Sequence, residues 1–301
     1  MSKGVKRKRR VKSTASCEEI VRSVLGREAA GILKFDPVAR QGDDPEGVHQ
    51  LRVCTRRLRS ELKIFAPVLR KSPLKHLRKE LSWLGAILGG QRDLDVLYDL
   101  LQSLSDDLPL SLDRSVLDNV EQRRKRGRIR VRATLNSKRY HRLVTSLCDA
   151  VLQPPLRKNA STTASAVFGS GLEATMSSLF KSADKLGESP TNEQLHQVRI
   201  LAKHGRYSAE VAEAYVGKDA RDVASSLAEV QEILGHLHDQ VGAIAYLRAQ
   251  RQRSKGGYAI GGSSESVAAA IEWLGDSIEK LKTMWRVPLA DSRRAGGELI
   301  A

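Results

Sequence analysis

Apolar residues recur at the three-to-four-residue interval of an α-helix along most of the chain, and no segment shows the β-branched alternation of a strand. The pattern predicts helices from Cys17 to Phe35 and from Pro45 to Leu69. A third opens at Ser72-Pro73, read as N-cap and first helical position, and ends near Leu104. The fourth runs from Leu112 to Leu152 and bends at Asn136-Ser137. Gln153-Pro154-Pro155 and the polar run to Thr163 then mark a boundary, after which four more helices are expected near 164–186, 193–216, 219–250 and 265–286. The expected organisation is a basic disordered arm at 1–14, a helical half at 15–153, a second at 164–288 and a flexible tail at 289–301.

The two halves share residues as well as helices. His49-Gln50-Leu51-Arg52 returns as His196-Gln197-Val198-Arg199, and at the same spacing Arg56 meets Lys203 and Arg59 meets Arg206. Ile87-Leu88-Gly89 returns as Ile233-Leu234-Gly235, and Asp93 as Asp239, after a one-residue gap. Matching side chains in matching order point to a duplicated bundle.

Wound at about 100° per residue, His49, Arg52, Arg56, Arg59 and Lys63 fall within an arc of about 80°, opposite an apolar stripe of Leu51, Leu58, Leu62 and Phe65. The stripe seats the helix, and the cations form a track about 20 Å long, with Arg57 beside it. A solvated helix face usually interleaves acids with its bases, because like charges at i,i+4 repel; this track contains no acid. Arginine also outnumbers lysine in it, which suits bidentate contact with phosphate. The second track is His196, Arg199, Lys203 and Arg206, ending at Glu210, which can pair with Arg206. Tyr207 beside it can donate a hydroxyl to an anion or serve as a buried structural residue. Arg92 is placed to enter the site, with Asp93 either orienting a neighbour or making a plain structural pair. Further positive charge lies in Arg123–Arg132 and in Lys138-Arg139.

Composition sharpens this picture. The formal net charge is +16 over 301 residues, which predicts an anionic partner: nucleic acid, an anionic surface or a phosphate polymer. Aromatics make up only 4%, too few to stack bases along the tracks. Cys17, Cys54 and Cys148 have no ligand spacing and read as thiols of a reducing compartment; with no signal peptide or membrane span, the expected location is the cytoplasm. No P-loop, nucleophile elbow, HExxH or Mg²⁺-holding carboxylate cluster is present in the sequence, so no catalysis, cofactor or metal is expected. The head histidines lack a second ligand at i+3 or i+4.

Val48-His49-Gln50-Leu51-Arg52-Val53 with Arg56-Arg57-Leu58-Arg59, Leu195 to Arg199 with Lys203, Arg206-Tyr207 and Glu210, and Leu88-Gly89 with Arg92 to Val96 resemble the signatures of the CHAD family, the conserved histidine α-helical domain. The resemblance implies an all-α fold of two pseudo-symmetric four-helix bundles from an internal duplication, with a basic groove or pore between them. It implies binding of inorganic polyphosphate there, at polyphosphate granules, as a stand-alone member, since no ExExK motif occurs in this chain. Carried over by position, the ligand-facing residues are His49, Arg52, Arg56, Arg57, Arg59, Lys63, His196, Arg199, Lys203 and Arg206. Arg92, Lys138, Arg139 and Tyr207 join them as candidates from the residue reading. His204, Gly205 and His238 depart from the family pattern, which predicts weaker binding by the second half. Nucleic acid remains the rival ligand, and monomer and homodimer are both open.

Overall fold

The computed structural model describes residues 16–108, 112–158, 164–255 and 264–300. Among them are ten helices: α1 (Cys17–Gln41), α2 (Pro45–Ile64), α3 (Lys71–Asp107), α4 (Arg114–Leu135), α5 (Lys138–Leu152), α6 (Ala164–Asp184), α7 (Asn192–Val216), α8 (Lys218–Lys255), α9 (Ser264–Met284) and α10 (Arg286–Ile300). The only β feature among the described residues is an isolated bridge, Leu69 to Leu156. The two sets of five follow one plan: α3 and α8 are the long members at 37 and 38 residues, and α5 and α10 close each set at 15. The principal packing between the sets joins like with like, α2 with α7 and α3 with α8.

The apolar stripes face inward as their periodicity requires. Leu51, Leu58, Leu62 and Phe65 of the first set and Val198, Ala209 and Ala212 of the second are buried. One continuous cluster draws on both sets, from Cys17 in α1 to Leu289 in α10. A smaller cluster packs the end of α3 and the start of α4 against α8 and α9 through Leu104, Val120, Leu247 and Leu274. No disulfide joins the three cysteines.

Several boundaries differ from expectation, each for a local reason. α1 continues through Pro37 to Gln41, held by the Asp36–Arg40 pair at 2.7 Å and closed by left-handed Gly42 at φ 79°. α3 opens at Lys71 after Arg70, so Ser72 is not its N-cap. The chain here is fixed from outside: the Arg70 amide donates to Pro155 O, and the Arg157 amide to Val68 O. The Pro-Pro segment is thus tied to the α2–α3 turn at its near end. The bend at Asn136-Ser137 is a full break, with the Ser137 hydroxyl capping α5.

The largest correction is the tail. Residues 289–300 are not a flexible tail but belong to α10, which packs on α8 and α6. Pro288 lies in its first turn, where a missing amide costs nothing. Trp285 and Leu289 are buried, Gly296 faces Met176 and Val223, and Arg293 pairs with Asp184 at 2.6 Å. The basic arm at 1–14 lies outside the described residues.

Candidate functional site

The α2 track starts from a fixed end. The Asp44 side chain accepts from the Glu46 amide, Pro45 takes the first helical position, and Gly47 lies against α1 so closely that a Cβ there would sit 2.6 Å from Ala39 N. With the apolar stripe buried, His49, Arg52 and Arg56 become half-buried, while Arg59 and Lys63 are exposed. α7 begins with a Thr191–Gln194 capping box, and His196, Arg199, Lys203 and Arg206 are all half-buried.

The two tracks meet. The Arg56 guanidinium lies over the Tyr207 ring at 5.9 Å, and Arg57 reaches Glu210 at 3.3 Å. Burial pushes Lys203 down to about 8, helped by Arg56, Arg199, Arg52 and Arg59. Burial also lowers Arg52, with Arg56, Arg199 and Arg92 adding repulsion against the pull of Asp93, which stands 3.8 Å away. Arg199 is lowered by burial and by Arg56, opposed by Asp239 and Asp93. His204 falls to about 4 through burial and the charges of Lys63 and Lys203. His49 is held below its ordinary value by burial, then by Arg92, Arg56 and Arg52 against Glu46. Each track therefore feels the charge of the other, and cations are crowded where solvent is scarce.

Hydrogen bonding points the same way. Among the described residues, the buried Nε atoms of Arg52 and Arg56, His196 Nδ1 and the Tyr207 hydroxyl find no hydrogen-bond partner. Buried polar groups are ordinarily satisfied, so orphaned arginine N–H groups beside concentrated positive charge leave donors free for acceptor oxygens from outside the chain.

Not every candidate joins this cluster. Arg139 is engaged by Glu80 at 2.6 Å and stacks on Trp83 at 4.1 Å, on the face of α3 roughly opposite Gly85 and Gly89, which meet the α2 track. Lys138 is exposed at the start of α5, beside Arg139. Arg57 and Arg206 lie at the site but are occupied. Both belong to a chain of alternating acidic and basic side chains: Glu61 to Arg27 at 2.9 Å, Arg27 to Glu28 at 2.7 Å, Glu28 to Arg57 at 3.9 Å, then Glu210, then Arg206 at 2.8 Å. Tyr207 is buried, its ring under Arg56 and its hydroxyl unpartnered. In the basic run of α4, Arg124 is buried against Asp95, and Arg132 donates to the carbonyls of Arg40 and Gln41.

Sequence reasoning missed the carboxylates behind the site. Glu61 stands three residues after Leu58, in the register of the apolar stripe, and that was the available signal. Burial and the neighbouring Glu28 push Glu61 up to about 8. It also missed that Asp93 and Asp239, matched in sequence, come near enough for Asp93 to raise Asp239 further after burial has done so. The His196 and His238 rings lie 5.0 Å apart, yet no group of three or more metal-ligating side chains assembles among the described residues. No helix among them is long and apolar enough to cross a membrane.

Known proteins share this fold. The chain is similar to the CHAD domain of the plant Ricinus communis, whose crystal structure it matches with a TM-score of 0.73 at 28% identity, over 94% of this chain and 93% of that one. PptA from Streptomyces chartreusis has the same fold, with a TM-score of 0.68 at 18% identity over 93% of this chain and all of the other. An uncharacterized protein of Mycobacterium tuberculosis, from strains CDC 1551 / Oshkosh and H37Rv, is 29% identical over 230 residues. That match takes in 73% of this chain but only 43% of the mycobacterial protein, so the chain spans less than half of its relative. The CHAD domain profile matches residues 23–248, from within α1 to within α8 and across both tracks, and the protein belongs to the CHAD family.

Proposed function

We propose that the protein binds inorganic polyphosphate through the facing tracks of α2 and α7, acting as a binder without catalysis, in the cytoplasm and at polyphosphate granules. Some members of the CHAD family bind this polymer. The observation that carries the reading is the crowding itself: Arg52, Arg56, Arg199 and Lys203 repel one another across the α2–α7 contact, and the buried Nε atoms of Arg52 and Arg56 find no acceptor among the described residues. A chain of phosphate units carries about one negative charge per unit, so it relieves that repulsion at several positions at once. His49, Arg52, Arg56, Arg59, Lys63, Arg92, His196, Arg199 and Lys203 are the contact residues, with Arg57 and Arg206 in reserve behind their carboxylates.

The test is a salt-titrated binding assay with polyphosphates of graded length beside single-stranded RNA and DNA. Affinity should rise with chain length and fall steeply with salt through counterion release. Equal affinity for short and long polyphosphate, or tighter binding of nucleic acid at every salt concentration, rejects the reading.

One observation favours nucleic acid as a second reading. From Gln122 to Cys148 the sequence contains no acid, and Arg123, Lys125, Arg126, Arg130 and Arg142 are exposed along it. Competition separates the two: on the first reading long polyphosphate displaces oligonucleotide far more easily than the reverse.

A further inference from the structure

The third helix of each set meets the first arginine of its track at a glycine. Around Gly89 of α3, the position a Cβ would take lies 3.5 Å from Arg52 Nε and 3.8 Å from its Nη2. Around Gly235 of α8, the same position lies 4.0 Å from both Arg199 Nε and Nη2. In each case two nitrogens of one guanidinium are nearly equidistant from the helix surface, so the group lies along it. An aspartate one turn further on flanks each: Asp93 at 3.8 Å from Arg52, and Asp239, the leading charge acting on Arg199. The same glycine, arginine and aspartate thus recur in both halves, on helices distant in sequence.

We infer that Gly89 and Gly235 are positioning residues that seat the guanidiniums of Arg52 and Arg199 against α3 and α8, fixing where the polyphosphate oxygens are received. A methyl group fits at these distances in ordinary contact, whereas any longer side chain takes the place of the guanidinium. A diffuse positive field needs no such seat; a fixed pair of forks does. The inference rests on the proposed polyphosphate site and adds the element that orients it.

The experiment compares Gly89→Ala/Gly235→Ala with Gly89→Leu/Gly235→Leu in long-chain polyphosphate titrations at several salt concentrations, with helicity and melting temperature recorded alongside. The alanine pair should bind within about twofold of wild type. The leucine pair, unchanged in charge, should bind about tenfold more weakly, and its salt slope should fall by about two, one for each arginine lost from the phosphates. Placed in an Arg52→Ala/Arg199→Ala background, the leucines should cost nothing further. Leucine variants that bind as wild type, or that cost as much without the arginines, overturn the seat. Wild type that ignores polyphosphate instead overturns the parent reading. A readout free of substitution guards against leucine variants that do not fold: in wild type the Arg52 and Arg199 Nε–H groups should exchange with solvent far more slowly than that of exposed Arg142, and equal rates overturn the seat as well.

Discussion

From His49 to Lys63 the α2 track carries no carboxylate, and its outer members Arg59 and Lys63 stand in solvent; the α7 track is half-buried throughout and closes on Glu210. The apolar face under α2 is made of Leu51, Leu58, Leu62 and Phe65, whereas α7 offers Val198, Gly205, Ala209 and Ala212. Smaller residues let α7 sink deeper among its neighbours, and depth is what pushes Lys203 down to about 8 and His204 to about 4. One pattern of charge thus ends in solvent at Arg59 and Lys63 in one half and stays half-buried to its last member in the other, although Arg52 and Arg199 are lowered by burial alike. The comparison teaches that a repeated motif is set by its spacing but tuned by the volume of the residues on its far side.

The strongest way to break this comparison is to reverse both tracks at their shared centre. Arg52→Glu with Arg199→Glu should abolish polyphosphate retention while leaving helicity intact, a loss beyond a hundredfold if each charge-assisted contact is worth about 1.5–3 kcal/mol. Pull-down on immobilised polyphosphate with circular dichroism on the same sample checks it; unchanged affinity would reject the assigned site.

The seats of the two tracks differ in the same sense. A Cβ on Gly47 meets the backbone of Val38 and Ala39 at 2.6–2.8 Å, and backbone cannot yield. A Cβ on Gly205 meets the ends of Leu227 and Met176 at 3.0–3.2 Å, and flexible tips can. Gly47→Ala should therefore cost about 3 kcal/mol in chemical denaturation, and Gly205→Ala about 1 kcal/mol or less.

pH sharpens the contrast further. Lys203 is charged below about 8 and neutral above it, so affinity should fall severalfold as pH rises through 8, by about 1 kcal/mol for one phosphate contact. Lys203→Arg should flatten that profile in the same titration, while Arg56→Gln in α2 removes part of the repulsion and should move it to higher pH. The fold responds oppositely: from about 8 up to the usual lysine range the unfolded chain holds a proton that folded Lys203 has released, so stability rises there.

The smallest effect concerns the carboxylates behind α2. Glu61 is pushed up to about 8, so its contribution to stability is fully present below the usual carboxylate range and is lost as pH rises through 8. Glu61→Gln keeps an acceptor for Arg27 and removes the repulsion with Glu28; stability measured from pH 5 to 9 should become flatter, by about 1 kcal/mol.

Much of this was legible in the residues because it depends on period alone. Both tracks and the buried Leu51–Leu58–Leu62–Phe65 stripe follow from counting positions along a helix, and Asn136-Ser137 reads as a bend where the structure has a full break. What was not legible depends on partners brought from elsewhere. Pro37 reads as a stop until Asp36 and Arg40 are seen to pair across it, and Ser72 reads as a cap until Pro155 is seen to fix Arg70. α10 was hidden because Ala, Ser and Gly carry little hydrophobic signal although they permit close packing. Arg139 looked as available as Arg52, and only Glu80 and Trp83 show that it is spent.

The junction of α2 with α7 and of α3 with α8 has a consequence for what kind of polymer can lie along it. Like helices meet there, yet the tracks they carry are unequal, with Lys63 answering to Glu210 and Arg56 to Lys203. An unbranched phosphate chain is itself without direction, so on the proposed reading it presents the same units to both tracks whichever end enters first. A nucleic-acid strand runs from 5′ to 3′, so it would lie along unequal tracks in two distinguishable ways.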